Sequence, residues 1–347
     1  MSKINPDELV NIFSELGTQL QKPNEQLQML IQQEQFHNAW FTPANVERAI
    51  LSIGEMLNSE AIIKWLSGYE LDKAVEEKKV GLILAGNIPL VGFHDVLCVL
   101  ATGHHALIKA SAQDARLVRH VLNMLATIDA RFSAKYSFVE RLKDFDAVIA
   151  TGSDNSSRYF EYYFGKVPHI IRKNRNSVAV ITGDETTEEL NLLGHDIFDY
   201  FGLGCRNVSK LLIPQGYDIG TFFRPIETYQ PVINHHKYNN NYDYNKSVYL
   251  VNSEKHFDNG FLLLKESESL ASPLAVLYYE YYDTIANAEA VINANSDKIQ
   301  CVVCISPLKL SNQVVSPGQS QQPQLWDYAD GVDTMDFLTD LSGKVKA

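Results

Sequence analysis

The sequence predicts an α/β protein built on a doubly wound parallel sheet, with a second α/β domain beside it. Three observations lead to that class. Short continuous apolar runs, VGLILA at 80–85, ALI at 106–108 and AVIA at 147–150, have the texture of strands buried on both faces. Segments of helical periodicity separate these runs, giving a strand–helix–strand rhythm. A length of 347 residues is long for one simple core, so two packed domains are expected.

The opening part reads as helices. Asn5-Pro6-Asp7 caps a run containing Leu9, Val10, Ile12, Phe13 and Leu16. Thr42-Pro43 caps a second with Val46, Ala49, Ile50 and Ile53, and Ser59 starts a third with Ile62, Ile63, Trp65 and Leu66. These amphipathic stripes imply a packing layer. The strand at 80–85 leads through Gly86-Asn87-Ile88-Pro89 into an apolar helix ending near Ala101. A strand at 106–109, a helix over 112–125, a strand at 147–150 and a helix over 154–164 follow.

The pattern continues with a strand at 178–181, a helix over 188–200, the stretch GLGC at 202–205 and a strand at 209–213. Residues 230–246, rich in His, Asn, Tyr and Lys, read as a long surface loop or irregular strands. Strands at 247–251, 261–264 and 274–279 come next, then a helix over 285–293. SPGQSQQP at 316–323 reads as a polar linker, and 334–341 as a closing amphipathic helix. The expected domains are 1–175, a helical layer plus a Rossmann-like domain; 176–315, a second α/β domain that carries Cys205; and 316–347, linker and C-terminal segment. No internal repeat is present.

Composition narrows the function. Apolar residues make up 45% and charged residues 21%, as in ordinary globular proteins. A formal net charge of −12 argues against a nucleic-acid partner, since phosphate backbones need a basic face. Small anionic ligands remain open, because they need only local cations and backbone N–H groups. No apolar run is long enough to span a bilayer, and Met1-Ser2-Lys3-Ile4-Asn5-Pro6 has no signal-peptide pattern. Four scattered cysteines suit a reducing compartment, so a cytoplasmic location is expected.

Ligands of doubly wound sheets sit beyond the carboxyl ends of the strands. The residues there are Gly86 and Asn87, Lys109 to Ser111, and Thr151-Gly152-Ser153. Gly152-Ser153 opens a helix and presents N–H groups and a hydroxyl to an anion. One such serine is equally an ordinary N-cap; three such loops at strand ends point to a small phosphate-bearing molecule. Cys205 follows a glycine-rich approach that lets backbone pass close to a substrate. As a thiolate it attacks carbonyl carbon, whereas its plain alternative is a buried structural cysteine.

The segment VGLILAGNIPLVGFHDVLCVLATGHHALIKAS at 80–111 resembles the part of aldehyde dehydrogenases that places Asn-X-Pro at one strand end and Lys after the next strand. Thr151-Gly152-Ser153 resembles their Gly-Ser turn, and GLGCRNVSKLLIP at 202–214 resembles the strand of their nucleophilic cysteine. Within that superfamily the chain is most similar to bacterial acyl-CoA reductases, including the fatty-acid reductase component of luminescence. DYADGVDTMDFL at 327–338 is similar to their C-terminal end.

The resemblance implies an aldehyde-dehydrogenase-like fold and a set of roles. Cys205 is the nucleophile and Asn87 an oxyanion donor, whose plain alternative is an Asn shaping the turn before Pro89. Lys109 and Ser111 meet the cofactor ribose or its phosphate, and Gly86, Gly152 and Ser153 cradle the rest. A Glu that grips the ribose hydroxyls in many NAD-preferring relatives is here Ala112, so NADPH is expected, with NADH the alternative. The hydrolytic relatives' general-base Glu has no counterpart: residues 162–183 contain no acid. An acyl group on Cys205 is then expected to leave by reduction or return to CoA.

The implied reaction is reduction of an acyl-CoA thioester to the aldehyde. Arg172, Lys173 and Arg175 are candidates for the CoA phosphates, with a solvated basic turn as the alternative. His169 is a candidate proton donor or else a core histidine, and the Glu that grips the nicotinamide ribose falls near Ser269, beside Glu268. A homo-oligomer is expected by analogy. Competing readings are a reductase of another activated acyl group, such as an acyl phosphate or acyl-carrier-protein thioester, and a catalytically silent nucleotide-binding module. No metal is expected: Cys301 and Cys304 lack a second ligand pair and read as core. His104-His105 and His235-His236 read as strand pairs whose side chains diverge. The tyrosines of 278–282 read as a strand edge.

Overall fold

The computed structural model describes residues 4–71 and 76–341, so the Met1–Lys3 opening and residues 342–347 of the expected C-terminal segment lie outside it. The chain forms two compact units, Met1–Asn174 with Pro323–Ala347, and Arg175–Gln322. Residues after Pro323 therefore belong with the first unit.

The first unit begins with helices α1 (Pro6–Gln21), α2 (Glu25–Gln33), α3 (Pro43–Met56) and α4 (Ser59–Leu66). Each start is set by a side chain. Asn5 accepts the Glu8 N–H at 2.9 Å while Glu8 accepts the Asn5 N–H at 2.9 Å, and Asn24, Thr42 and Asn58 cap the other three. Phe13, Leu16, Leu20, Val46, Ile50, Ile62 and Trp65 face inward in one apolar core. The sequence did not announce α2, whose only buried residues are Leu27 and Ile31.

Beyond them the chain alternates: β1 (Lys79–Ile83), α5 (Phe93–Ala101), β2 (His105–Lys109), α6 (Ala115–Ile128), β3 (Tyr136–Phe138), β4 (Ala147–Thr151), α7 (Asp154–Phe164) and β5 (His169–Arg172). The strands form one sheet in the order β3-β2-β1-β4-β5, every pair parallel. Strand order reverses between β1 and β4, which makes the carboxyl ends of those two strands the topological switch point. The helix Thr334–Asp340 buries Thr334, Met335 and Leu338 in the same unit.

The second unit holds β6 (Asn176–Val180), α8 (Thr187–Phe198), β7 (Val208–Pro214), α9 (His236–Val251), β8 (Phe257–Asp258), β9 (Leu263–Glu266), β10 (Val276–Tyr282), α10 (Ile285–Ala294), β11 (Ile299–Val303) and β12 (Gln313–Val315). Its sheet has the order β12-β11-β6-β7-β10-β9-β8, parallel except for β8.

Four expectations need correction here. The loop expected at 230–246 and the strand expected at 247–251 are instead a 3₁₀ stretch, Glu227–Asn234, and α9, with His235 between them. The residues that α9 buries, Tyr238, Tyr242, Asn245 and Tyr249, keep helical spacing, but they are aromatic and amide side chains in a run of poor helix formers. An aliphatic stripe, the signal periodicity relies on, is missing. The tyrosines of 278–282 lie on β10, an interior strand between β7 and β9. His235 caps α9 and its ring stacks on that of His236 at 5.1 Å, so these side chains do not diverge. Residues 316–322 are no free linker, because the buried Asp196 carboxylate accepts the Gly318 N–H at 2.6 Å and the Ser320 N–H at 2.9 Å. No described helix is long and apolar enough to cross a membrane.

Candidate active site

In the first unit the predicted cofactor residues collect at one edge of the sheet. Gly86 and Asn87 follow β1, Lys109 ends β2 with Ser111 just beyond, and Gly152-Ser153 follow β4. The loops after β1 and β4 flank the switch point. Asn87, Lys109 and Ser153 are exposed, Ser111 and Gly152 half-buried, and Gly86 buried.

Two glycines show how closely these loops are built. A Cβ on Gly86 would lie 2.5 Å from both Cβ and Oγ of Ser111, so the loops after β1 and β2 touch there. A Cβ on Gly152 would lie 2.8 Å from the Phe160 ring and 2.9 Å from the Ser156 Cβ. Both positions need glycine for close approach. Ser153 is the N-cap of α7, its hydroxyl accepting the Ser156 N–H at 3.4 Å. A Gly-Ser turn at a helix N-terminus and an exposed lysine at the end of β2, on the same sheet edge, fit a dinucleotide's phosphates. Sheet edge, glycine-lined contact and helix start together fit such a cofactor.

Asp114, which sequence reasoning passed over, caps this loop from beneath. It is 1% exposed, burial pushes its pKa well up, and its Oδ2 accepts the Leu90 N–H at 3.0 Å. Leu90 has φ of 57°, a strained left-handed residue that this bond holds at the end of the Asn87 loop.

Cys205 lies in the second unit, just before β7 and hence at the amino-terminal edge of that sheet. Of the four cysteines it alone is half-exposed; Cys98, Cys301 and Cys304 are buried. Its approach is strained. Tyr200, Phe201 and Gly202 have φ of 54°, 59° and 79°, and only the last is a glycine. The buried Asn207 holds this loop by accepting the Gly204 N–H at 2.8 Å and donating to the carbonyls of Asp199 at 2.8 Å and Asp196 at 3.2 Å. The Cys205 carbonyl accepts from Ser177 Oγ at 3.0 Å. The loop after β9 runs back along β7: the buried Lys210 donates to the Glu268 carbonyl at 2.9 Å, and Ser209 to that of Leu270 at 2.7 Å.

The basic cluster separates into different roles. Arg172 is 3% exposed; it pairs with Asp95 at 2.6 Å, donates to Thr334 Oγ1 at 2.9 Å and bonds the Ala329 carbonyl. It is a structural staple, not a solvated cation awaiting a phosphate. Lys173 is exposed and pairs with Glu161 at 2.9 Å, while Arg175 reaches the Ile299 carbonyl at 3.3 Å. His169 is also corrected. It is exposed, not core, and opens β5 at the amino-terminal edge, opposite the edge of Gly86, Lys109 and Gly152.

By sequence, no family profile and no curated protein matches the chain. By structure it is similar to aldehyde dehydrogenases. Aldehyde dehydrogenase 21 from Physcomitrella patens, in complex with the reaction product succinate, gives a TM-score of 0.69 at 11% identity, over 98% of this chain and 85% of that one. The NAD+ complex of aldehyde dehydrogenase from Bacillus cereus gives 0.63 at 14%, over 90% and 76%. NAD-dependent aldehyde dehydrogenase from Sinorhizobium meliloti gives 0.64 at 11%, over 88% and 71%. At these identities the likeness is one of fold: the chain has the aldehyde-dehydrogenase-like α/β fold.

Proposed function

We propose that the protein reduces an acyl-CoA thioester to the aldehyde, using NADPH and an acyl-enzyme on Cys205. The observation that carries the reading is the setting of Cys205. It is the half-exposed cysteine, on a strained loop pinned by Asn207 and Ser177, in a chain with the aldehyde-dehydrogenase-like fold.

In this reading the Cys205 thiolate attacks the thioester carbonyl and expels CoA. Asn87, by resemblance, donates its side-chain amide to the oxyanion, with the Cys205 N–H as second donor. Bound NADPH supplies the hydride that reduces the acyl carbon. Gly152, Ser153, Lys109 and Ser111 hold and orient it through N–H groups, a hydroxyl and a cation at the first unit's sheet edge. The sulfur of Cys205 then leaves, releasing aldehyde and restoring the thiolate. The acid-free span 162–183 supports reduction over hydrolysis, because it offers no base to activate water where the hydrolytic relatives carry one.

The test is direct. Purified protein with an acyl-CoA and NADPH should consume the nicotinamide absorbance and yield aldehyde, and Cys205→Ala should abolish this while binding NADPH as wild type does. Reduction that survives in Cys205→Ala, or none with any acyl-CoA, rejects the assignment.

A further inference from the structure

The side chain behind the nucleophile loop is Ser177, at the start of β6 and 0% exposed. Its Oγ lies 3.0 Å from the Cys205 carbonyl oxygen, 3.2 Å from Cys301 Sγ and 3.3 Å from the Cys301 backbone nitrogen. A serine hydroxyl has one proton and two lone pairs. One arrangement uses all three: it donates to the Cys205 carbonyl and accepts from both the N–H and the S–H of Cys301. Cys301 is 0% exposed, and burial pushes its thiol pKa up, so the sulfur keeps the proton it must donate. The Ser177 backbone meets the same loop, its N–H donating to the Asn207 carbonyl at 3.2 Å. Asn207 holds the residue before Cys205 through the Gly204 N–H, and Ser177 holds the carbonyl after it.

We propose that Ser177, oriented from behind by Cys301, is a positioning residue for Cys205. Its bond fixes the Cys205–Arg206 peptide and therefore the direction of the Cys205 side chain. The proposal rests on the reading of Cys205 as nucleophile and gives Cys301 a part beyond filling the core. A buried hydroxyl with every hydrogen-bonding capacity used leaves the peptide one orientation, whereas a methyl group there would release it and strand the Cys205 carbonyl.

The experiment compares Ser177→Ala, Ser177→Thr, Cys301→Val and Cys301→Ser in the full-length protein. One readout is the rate of Cys205 carbamidomethylation by iodoacetamide across pH, followed by mass on the Cys205 peptide. The others are kcat and KM for acyl-CoA reduction, and the melting temperature. Ser177→Ala should displace the alkylation pH profile and lower kcat by about two- to tenfold, the weight of one hydrogen bond, with KM for NADPH unchanged. Ser177→Thr keeps the hydroxyl and should recover both. Cys301→Val should reproduce part of the effect and Cys301→Ser little of it. If Ser177→Ala melts earlier but keeps the wild-type profile and kcat, Ser177 is only structural and the proposal fails. Should Ser177→Ala not fold, an unaltered profile in Cys301→Val overturns it equally. Alkylation needs no acyl substrate, so a shifted profile in a protein that reduces no acyl-CoA upholds the clamp and rejects the reaction.

Discussion

Asp95 Oδ1 lies 2.6 Å from Arg172 Nη2, and the guanidinium also reaches Thr334 and the Ala329 carbonyl. One buried cation thus ties the first turn of α5 and the last residue of β5 to the C-terminal segment of the same unit. Removing one partner of such a pair leaves an uncompensated buried charge, which costs about 3–5 kcal/mol. Arg172→Ala should lose that much stability in urea unfolding. Arg172→Met with Asp95→Leu should regain most of it, because both charges are gone and the volume is kept. A loss below about 1 kcal/mol in the single variant would mean the pair is solvated in solution.

The proposed cofactor preference rests on the loop after β2. Position 112, where a ribose-gripping Glu is common in the resembling family, is Ala. The carboxyl on the same loop, Asp114, is 1% exposed and spends an oxygen on Leu90, so it offers no surface charge to repel a 2′-phosphate. NADPH should therefore give a kcat/KM at least about tenfold above NADH, the weight of one charge-assisted bond from exposed Lys109. Ala112→Glu should reverse the order. Better kinetics with NADH in the wild-type protein would remove this claim and leave the rest intact.

Asp196 makes stability pH-dependent. It accepts the Gly318 and Ser320 N–H groups, yet burial pushes its pKa up to about 6. An unfolded aspartate titrates at about 3.9. Between those values the folded chain keeps a proton that the unfolded chain has lost, so this group's contribution is fully present below the window and falls as pH rises through it. The stability of wild type minus that of Asp196→Asn should drop by about 2–3 kcal/mol from pH ~4 to ~6.5. A difference that stays level across that range would show that Asp196 titrates as an exposed carboxyl.

How far the sequence could be read depends on where each signal lies. β1 and β4 were legible because strands buried on both faces must be apolar throughout, and β2, buried at alternate residues, by its apolar run Ala106-Leu107-Ile108. α7 was legible to the residue, its start set by the Ser153 cap. Features fixed by distant partners were not legible. The burial of Arg172 depends on Asp95, and the docking of 316–322 on Asp196, both far away in the chain. Arg172 reads as a cation open to a phosphate or to solvent, and SPGQSQQP as a polar linker, because nothing local says otherwise. α9 hid behind tyrosines and asparagines, whose inward face carries no aliphatic stripe. At the candidate site, its glycines single out Cys205 in the sequence, but the left-handed Tyr200 and Phe201 have no sequence signature.

The acid-free span 162–183 bears on the fate of the proposed acyl-enzyme, and His169, exposed at the far edge of the first unit's sheet, adds no base to the edge of Gly86, Lys109 and Gly152. Acyl-CoA added without cofactor should leave one acyl group on the peptide containing Cys205, visible by mass. It should persist for minutes, because an unactivated water attacks a thioester slowly when no carboxylate or imidazole takes its proton. NADPH added afterwards should discharge the adduct to aldehyde, and free CoA should return acyl-CoA by the reverse of the first step. His169→Ala should leave the lifetime unchanged. Rapid release of free acid from the wild-type protein would mean that another group serves as base, and the chain would then be a thioesterase or an acid-forming dehydrogenase.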